Sequence, residues 1–137
     1  MAGKKDKQKL SIPPFVPMTW AMLNSKAYKD LSFAARAMLP YFIGKPKINI
    51  RSDLFLKTEF SFSYKEAVTC GCSTRTFTRV IEDLMRKGFI DPVEKGGLRG
   101  AGLSCNIYKM SERWKHYEKQ DFVEAVEWKM FAANTRK

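Results

Sequence analysis

Residues 63–90 constrain the fold more than any other stretch, because they carry the start and stop signals of two successive helices. Ser63 is followed three residues later by Glu66, the spacing of a capping box, in which the two side chains accept hydrogen bonds from each other's backbone N–H groups. Cys-Gly-Cys at 70–72 then breaks the helix, and Gly71 is free to adopt positive φ. The pattern predicts a short helix over residues 64–69 and a three-residue turn.

The second helix of this stretch has a strongly two-sided sequence. Ser73 is its predicted N-cap. Gly88, after basic residues in the last turn, is placed to end it near Lys87. On a helical wheel the apolar residues form one stripe that must face a core, and mainly basic residues lie opposite. The stripe contains Phe77, Val80, Ile81 and Leu84, and the opposite side contains Arg75, Arg79, Glu82 and Arg86.

Shorter helices are predicted before this stretch. Thr19, Ser25 and Ser32 each precede a possible helix, which would cover 20–23, 26–30 and residues from 33 onward. Pro40 is expected to kink or end the third helix, because proline lacks the N–H group that helix interiors require. The polar stretch from Gly44 to residue 53 is typical of a loop.

The sequence also predicts three strands and a further helix. Alternation at 60–62, within the Phe- and Leu-rich residues 54–62, indicates a short strand. Residues 89–94 and 103–110 are strand-like and are separated by KGGLRGAG, which is typical of a flexible hairpin tip. Pro92 must then lie on an edge strand or at a non-bonding position. Ser111 is expected to cap a helix over residues 112–119.

This order of elements, from the first helix through the turn to the glycine-tipped hairpin, resembles the winged helix-turn-helix DNA-binding family of bacteria, phages and plasmids. The resemblance covers about residues 31–115, and LSFAARAMLPYF corresponds to the family's first helix. Gly71 stands at the turn glycine, Ser73 at the cap of the recognition helix and Thr76 at the threonine near its start, and Gly88-Phe89-Ile90 leads into the wing. The resemblance implies an α+β fold, a winged helix-turn-helix with a three-helix core, a small antiparallel β-wing and flanking N- and C-terminal helices.

This comparison divides the chain into three parts. Residues 1–11 form a basic arm that we expect to be disordered, residues 12–119 the winged-helix DNA-binding domain, and residues 120–137 a C-terminal helical extension. The extension has an apolar stripe of Phe122, Val123, Val126, Met130 and Ala133, whereas Trp128 and Phe131 lie off it. Those two aromatic residues either pack back onto the first helices or form a homodimer through the C-terminal helix.

The charge of the chain favours a polyanionic partner. Twenty-five Lys and Arg residues against 14 Asp and Glu residues give a formal net charge of +11 over 137 residues. The arm lysines are suited to contacts along phosphates, with a solubilising tail as the alternative. They show no amphipathic helical pattern, which weakens a membrane interpretation. These lysines are Lys4, Lys5, Lys7 and Lys9.

Eight residues are predicted to contact double-stranded DNA. Arg75, Thr78 and Arg79 are the candidates for base edges in the major groove. Ser73, Thr74 and Lys65 are the candidates for the phosphate backbone. Lys95 and Arg99 on the wing would contact the backbone or the minor groove. The alternatives are a solvated helix side, with Glu82 and Arg86 as an ordinary surface pair, and a mobile hairpin with incidental charge.

The sequence contains no convincing metal or catalytic signature. Cys70 and Cys72 are too closely spaced for a usual zinc site and are more simply interpreted as small buried hydrophobic residues, as is Cys105. The single histidine, His116, is expected to be exposed and leaves little for a histidine-based hydrolase. KGGLRGAG does not match a phosphate-binding P-loop. We therefore expect a protein that is not an enzyme and has no cofactor and no metal.

The sequence thus predicts a small transcriptional regulator that binds double-stranded DNA. The first alternative is a replication-initiation or maintenance protein of a plasmid or phage. The second is a protein-interaction adaptor built on a winged helix, since a fold does not determine function. RNA binding is a weaker variant. An odd number of cysteines, together with no signal peptide and no membrane span, suits a cytoplasmic, nucleoid-associated protein.

Overall fold

The computed structural model describes residues 14–94, 106–119 and 121–122, which form a mixed α+β fold. Within these residues there are five α-helices and one small antiparallel sheet of three strands. In chain order the elements are α1 (Trp20–Leu23), α2 (Lys26–Lys29), α3 (Phe33–Gly44), β1 (Phe60–Ser61), α4 (Tyr64–Thr69), α5 (Thr74–Arg86), β2 (Ile90–Glu94) and β3 (Ile107–Met110), followed by a 3₁₀ helix at Arg113–His116.

Every one of the five α-helices begins after a serine or threonine that caps it. In each case the hydroxyl accepts a hydrogen bond from the backbone N–H three residues later, at 3.0–3.2 Å. These bonds satisfy N–H groups that have no partner inside the helix. The caps predicted from the sequence are therefore confirmed at Thr19, Ser25, Ser32, Ser63 and Ser73.

Pro40 is expected from the sequence to kink or end its helix, and the structure shows that it does not end α3. The helix continues through Pro40 to Gly44, although the proline removes one backbone hydrogen bond. The reason is tertiary packing, since one face of α3 is buried in the core on both sides of the proline. The buried residues of this face are Ala35, Met38, Leu39, Phe42 and Ile43.

The three strands form one antiparallel sheet in the order β1-β3-β2. Phe60 lies opposite Tyr108, and Ile90 lies opposite Met110. The predicted edge position of Pro92 is confirmed, because β2 is an outer strand and its register shifts between Pro92 and Glu94. The strand predicted within residues 54–62 covers only Phe60–Ser61, and residues 51–57 form turns instead.

A cluster of aromatic rings joins the helices to the sheet. The ring of Phe42 on α3 lies 4.6 Å from Phe62, 5.7 Å from Tyr108, 6.0 Å from Phe77 and 6.2 Å from Phe60, measured between centroids. All five rings are buried. The rings come from α3, α5, β3, β1 and the residue that follows β1. Their packing therefore fixes α5 against both α3 and the sheet.

The segment after β3 differs from the predicted helix over residues 112–119. It forms only a 3₁₀ helix at Arg113–His116, and Ser111 Oγ accepts the backbone N–H of the residue two positions later at 3.1 Å. Tertiary contacts decide this conformation. The Trp114 backbone N–H donates to the Gly88 carbonyl at 3.1 Å, and the indole stacks on the Phe89 ring at 5.8 Å.

Several predictions fall on residues outside the described ranges. They concern the basic arm, the glycine-rich hairpin tip with Lys95 and Arg99, the beginning of the predicted strand 103–110 with Cys105, and the C-terminal extension beyond residue 122. Among the described helices, none combines the length and the apolar character that crossing a bilayer would need.

Gly71 and Gly88 allow a comparison between the cost of positive φ alone and the cost of positive φ with a close backbone neighbour. Both have positive φ, +93° and +89°, but a Cβ at Gly71 would meet open space. A Cβ at Gly88 would lie 2.5 Å from the Trp114 backbone nitrogen and 2.8 Å from the Arg113 carbonyl carbon. We expect Gly71→Ala to cost about 1–2 kcal/mol of unfolding free energy. For Gly88→Ala we expect more than about 3 kcal/mol, because the main chain of the 3₁₀ segment must also move.

Urea denaturation of both variants and the parent measures the two losses. Equal losses at the two positions would contradict the close approach of the 3₁₀ segment to Gly88.

Candidate nucleic-acid interface

Helices α4 and α5 are joined by a turn whose backbone is fixed by hydrogen bonds. The capping box at the start of α4 is complete: Ser63 N–H donates to Glu66 Oε1 at 2.8 Å, and Glu66 N–H donates to Ser63 Oγ at 3.0 Å. At the other end of α4 the N–H groups of Gly71 and Cys72 donate to carbonyls of the helix, both at 2.9 Å. The sequence predicted this helix, turn and helix with the same boundaries to within one residue.

The amphipathic pattern predicted for α5 is confirmed. Its apolar stripe is fully buried, and it packs on α3, α4 and β2. Arg75, Arg79 and Arg86 are exposed on the opposite side. Within the described part of the chain, none of these three arginines lies within 4.0 Å of a carboxylate. The surface pair considered between Glu82 and Arg86 does not form, so Glu82 is an unpaired carboxylate within the described residues, on the same side of α5 as the arginines.

The predicted contact residues divide into free and engaged side chains. Lys65 and Thr74 are exposed, as are Arg75 and Arg79, so all four are accessible to a ligand. The hydroxyls of two others already have partners in the protein. Ser73 Oγ accepts the Thr76 N–H at 3.2 Å and lies 3.0 Å from Thr76 Oγ1, while Thr78 Oγ1 lies 2.9 Å from Tyr64 Oη.

Several carboxylates in the described residues lie in ion pairs, whereas Glu82, on the same side of α5 as the arginines, lies in none of them. Six carboxylates lie within 4.0 Å of a lysine, arginine or histidine nitrogen. The exposed cations outside these pairs include Lys65 on α4 and Arg75, Arg79 and Arg86 on α5. The pairs are Asp30–Lys26, Glu66–Lys45, Asp83–Lys87, Asp91–Arg113, Glu112–Lys115 and Asp121–His116.

The pair between Glu66 and Lys45 is a contact that the sequence pattern did not reveal. Lys45 follows α3, its ammonium lies 4.7 Å above the Phe62 ring, and it hydrogen-bonds Glu66 Oε2. The bond to Lys45 is the main reason why the pKa of the Glu66 carboxyl lies below its ordinary value, and the bond from the Ser63 N–H adds to it. Glu66 thus joins the start of α4 to the end of α3.

The two turn cysteines are both free thiols. Cys72 is buried, as predicted, and burial raises the pKa of its thiol. Cys70 is only half-buried, so its predicted burial is correct in part. His116 is exposed, as the sequence predicted. Among the residues that the structure describes, no three His, Cys, Asp or Glu side chains lie close enough together to hold a metal ion.

The lowered pKa of Glu66 gives a pH-dependent prediction. Its charged form is favoured by folding, so its contribution to stability is present at neutral pH and is lost as the pH falls through the lowered folded pKa. Glu66→Gln removes the charge but keeps an amide oxygen for the Ser63 N–H. Because about half of the side chain is exposed, 47%, we expect a loss of only about 0.5 kcal/mol at pH 7.

Urea denaturation of the parent and Glu66→Gln at pH 7, 5 and 3 would measure this difference, which should vanish toward pH 3. Glu59→Gln is the matched control, since Glu59 is exposed and has no ion pair within the described residues. A constant difference between parent and Glu66→Gln over this range would show that the charge on Glu66 does not stabilise the fold.

Comparison of the chain with family models, with curated proteins and with solved structures gave no match. The function is therefore inferred from the geometry and the charge of the described residues, together with the sequence.

Proposed function

We propose that the chain binds double-stranded DNA as a winged helix-turn-helix, with α5 in the major groove. The observation that carries the proposal is that one side of α5 is buried and the opposite side is exposed. Its apolar stripe is fully buried, while Arg75 and Arg79 are exposed and have no carboxylate partner among the described residues. A helix held in this way can enter the groove while its buried side stays packed in the core.

The arrangement of the elements supports the winged-helix assignment. The order α3, β1, α4, α5, β2 and β3, with the sheet order β1-β3-β2, agrees with a three-helix core followed by a β-hairpin. In this assignment α3, α4 and α5 form the core, and β2 and β3 are the strands of the wing. Lys95 and Arg99 belong to the hairpin tip by sequence and remain predicted DNA contacts.

The geometry suggests how the contacts are divided. Arg75 and Arg79 can each donate two hydrogen bonds to guanine O6 and N7. Lys65 on α4 and Thr74 at the start of α5 are placed for phosphates, which would also be attracted by the free N–H groups of the first turn of α5. Ser73 supports this region by capping α5, because its hydroxyl is already bonded to Thr76.

A domain of this kind acts by binding its site on DNA. We propose that this binding regulates transcription. The net charge of +11 supports binding, since counterions released from phosphates favour association and make it dependent on salt.

Reversing the two arginine charges tests the proposal. Arg75→Glu/Arg79→Glu should weaken binding to a selected duplex by about a hundredfold or more, because two base contacts are replaced by repulsion. The salt dependence of the remaining binding should also become less steep. Selection from random duplexes supplies the site, and fluorescence anisotropy at several salt concentrations measures affinity.

Lys29→Glu/Lys119→Glu is the matched control, because it changes the net charge equally at two exposed positions outside α4 and α5. The recognition-helix assignment is wrong if both double variants lose the same affinity, or if the α5 variant retains its specific binding.

A further inference from the structure

Tyr64 links the two helices of the proposed interface through both its ring and its hydroxyl. It is the first residue of α4, and its ring meets the buried ring of Phe77 edge-on, with centroids 5.1 Å apart and planes at 87°. Its hydroxyl oxygen lies 2.9 Å from Thr78 Oγ1 on the exposed side of α5. The ring is thus anchored in the core, and the hydroxyl is held beside the helix surface that we place in the groove.

The contacts around Thr78 allow an arrangement in which both hydroxyl protons point into the protein. Thr78 Oγ1 donates to the backbone carbonyl of Thr74 at 3.3 Å. A carbonyl only accepts, and a threonine hydroxyl has one proton, so that proton is used in this bond. When the Thr78 proton is used in that bond, the hydroxyl of Tyr64 is the donor of the 2.9 Å contact with Thr78 Oγ1, whose distance alone allows either direction. In this arrangement both protons are directed into the protein, while lone pairs on the two oxygens remain available.

A surface that offers only acceptors discriminates among the groups in the major groove. Adenine N6 and cytosine N4 carry amino donors there, whereas guanine O6 and N7, thymine O4 and the phosphate oxygens are acceptors. An acceptor of the DNA placed against Tyr64 and Thr78 would find no donor there, and neither would the two hydroxyl oxygens, unless an internal hydrogen bond is broken. An amino group can bond without such a rearrangement.

We propose that Tyr64 and Thr78 form a hydroxyl pair that selects the exocyclic amino group of adenine or cytosine in the major groove. This inference rests on the proposed DNA-binding function. It also revises the role predicted for Thr78, which acts as an acceptor held in place by Tyr64. Arg75 and Arg79 are donors only, so the same face of α5 would prefer guanine at their positions and an amino-bearing base at this one.

Site selection from random duplexes with the parent, Tyr64→Phe and Thr78→Val tests the pair. Tyr64→Phe keeps the ring on Phe77 and removes only the hydroxyl, so the fold is expected to survive, and thermal unfolding checks this. Both variants should relax the same base position by roughly three- to tenfold, the loss expected for about one hydrogen bond. Tyr28→Phe, which removes the same hydroxyl from α2, should leave the selected sequence unchanged.

A base analogue identifies the group that is recognised. If the selected base is adenine, 2-aminopurine still pairs with thymine but moves the amino group to the minor groove, and 2-pyrimidinone removes the amino group of a selected cytosine. The analogue should weaken binding of the parent by the same factor as Tyr64→Phe/Thr78→Val, which removes both acceptors, and should not weaken binding of that double variant further.

The possible failures are distinguishable. If the parent binds no duplex even at low salt, the proposed function itself fails. If the parent binds specifically but Tyr64→Phe selects the same sequence with the same preferences, only the hydroxyl pair is refuted. A uniform loss on all sequences with a less steep salt dependence would make Tyr64 a phosphate contact and would also overturn the inference.

Discussion

The burial of one face of α5 determines what its other face can do. Phe77, Val80, Ile81 and Leu84 are completely buried, and each such side chain stabilises the fold by about 1.5–3 kcal/mol relative to an exposed one. Because successive residues of a helix differ by about 100° in direction, rotating α5 by even one residue would expose part of this stripe. Core packing therefore makes Arg75 and Arg79 point outward, and the two arginines need no contacts of their own for this.

Local signals explain why so much of this region could be predicted from the sequence. A capping hydroxyl and the N–H group it bonds are three residues apart, so the chain itself brings them together. Gly71 and Gly88 both adopt positive φ at the ends of helices, where a side chain would be strained. These signals determine where α4 and α5 begin and end, and the apolar stripe then determines which side of α5 faces the core.

The features that the sequence did not predict depend on contacts between distant residues. An interior proline costs a helix about 3 kcal/mol, so a kink or an end is expected at Pro40. The helix does not end there, because burial of the surrounding face of α3 offsets that cost. The helix predicted after Ser111 is replaced by a 3₁₀ turn because its backbone bonds to Gly88. Tyr64 and Thr78 are 14 residues apart, and no periodic pattern relates a residue of one helix to its neighbour on the next.

Arg113 shows why positive charge alone does not identify the residues of the proposed interface. Its guanidinium donates to Asp91 Oδ1 at 2.7 and 2.9 Å and to the carbonyls of Met85 and Ile90 at 3.1 Å each. These partners lie in the last turn of α5 and at the start of β2, so Arg113 holds the joint between the helix and the hairpin strand. An arginine enclosed in this way orients α5 relative to the sheet. Arg75 and Arg79, by contrast, are exposed on the side of α5 opposite its buried stripe, and neither is in an ion pair within the described residues.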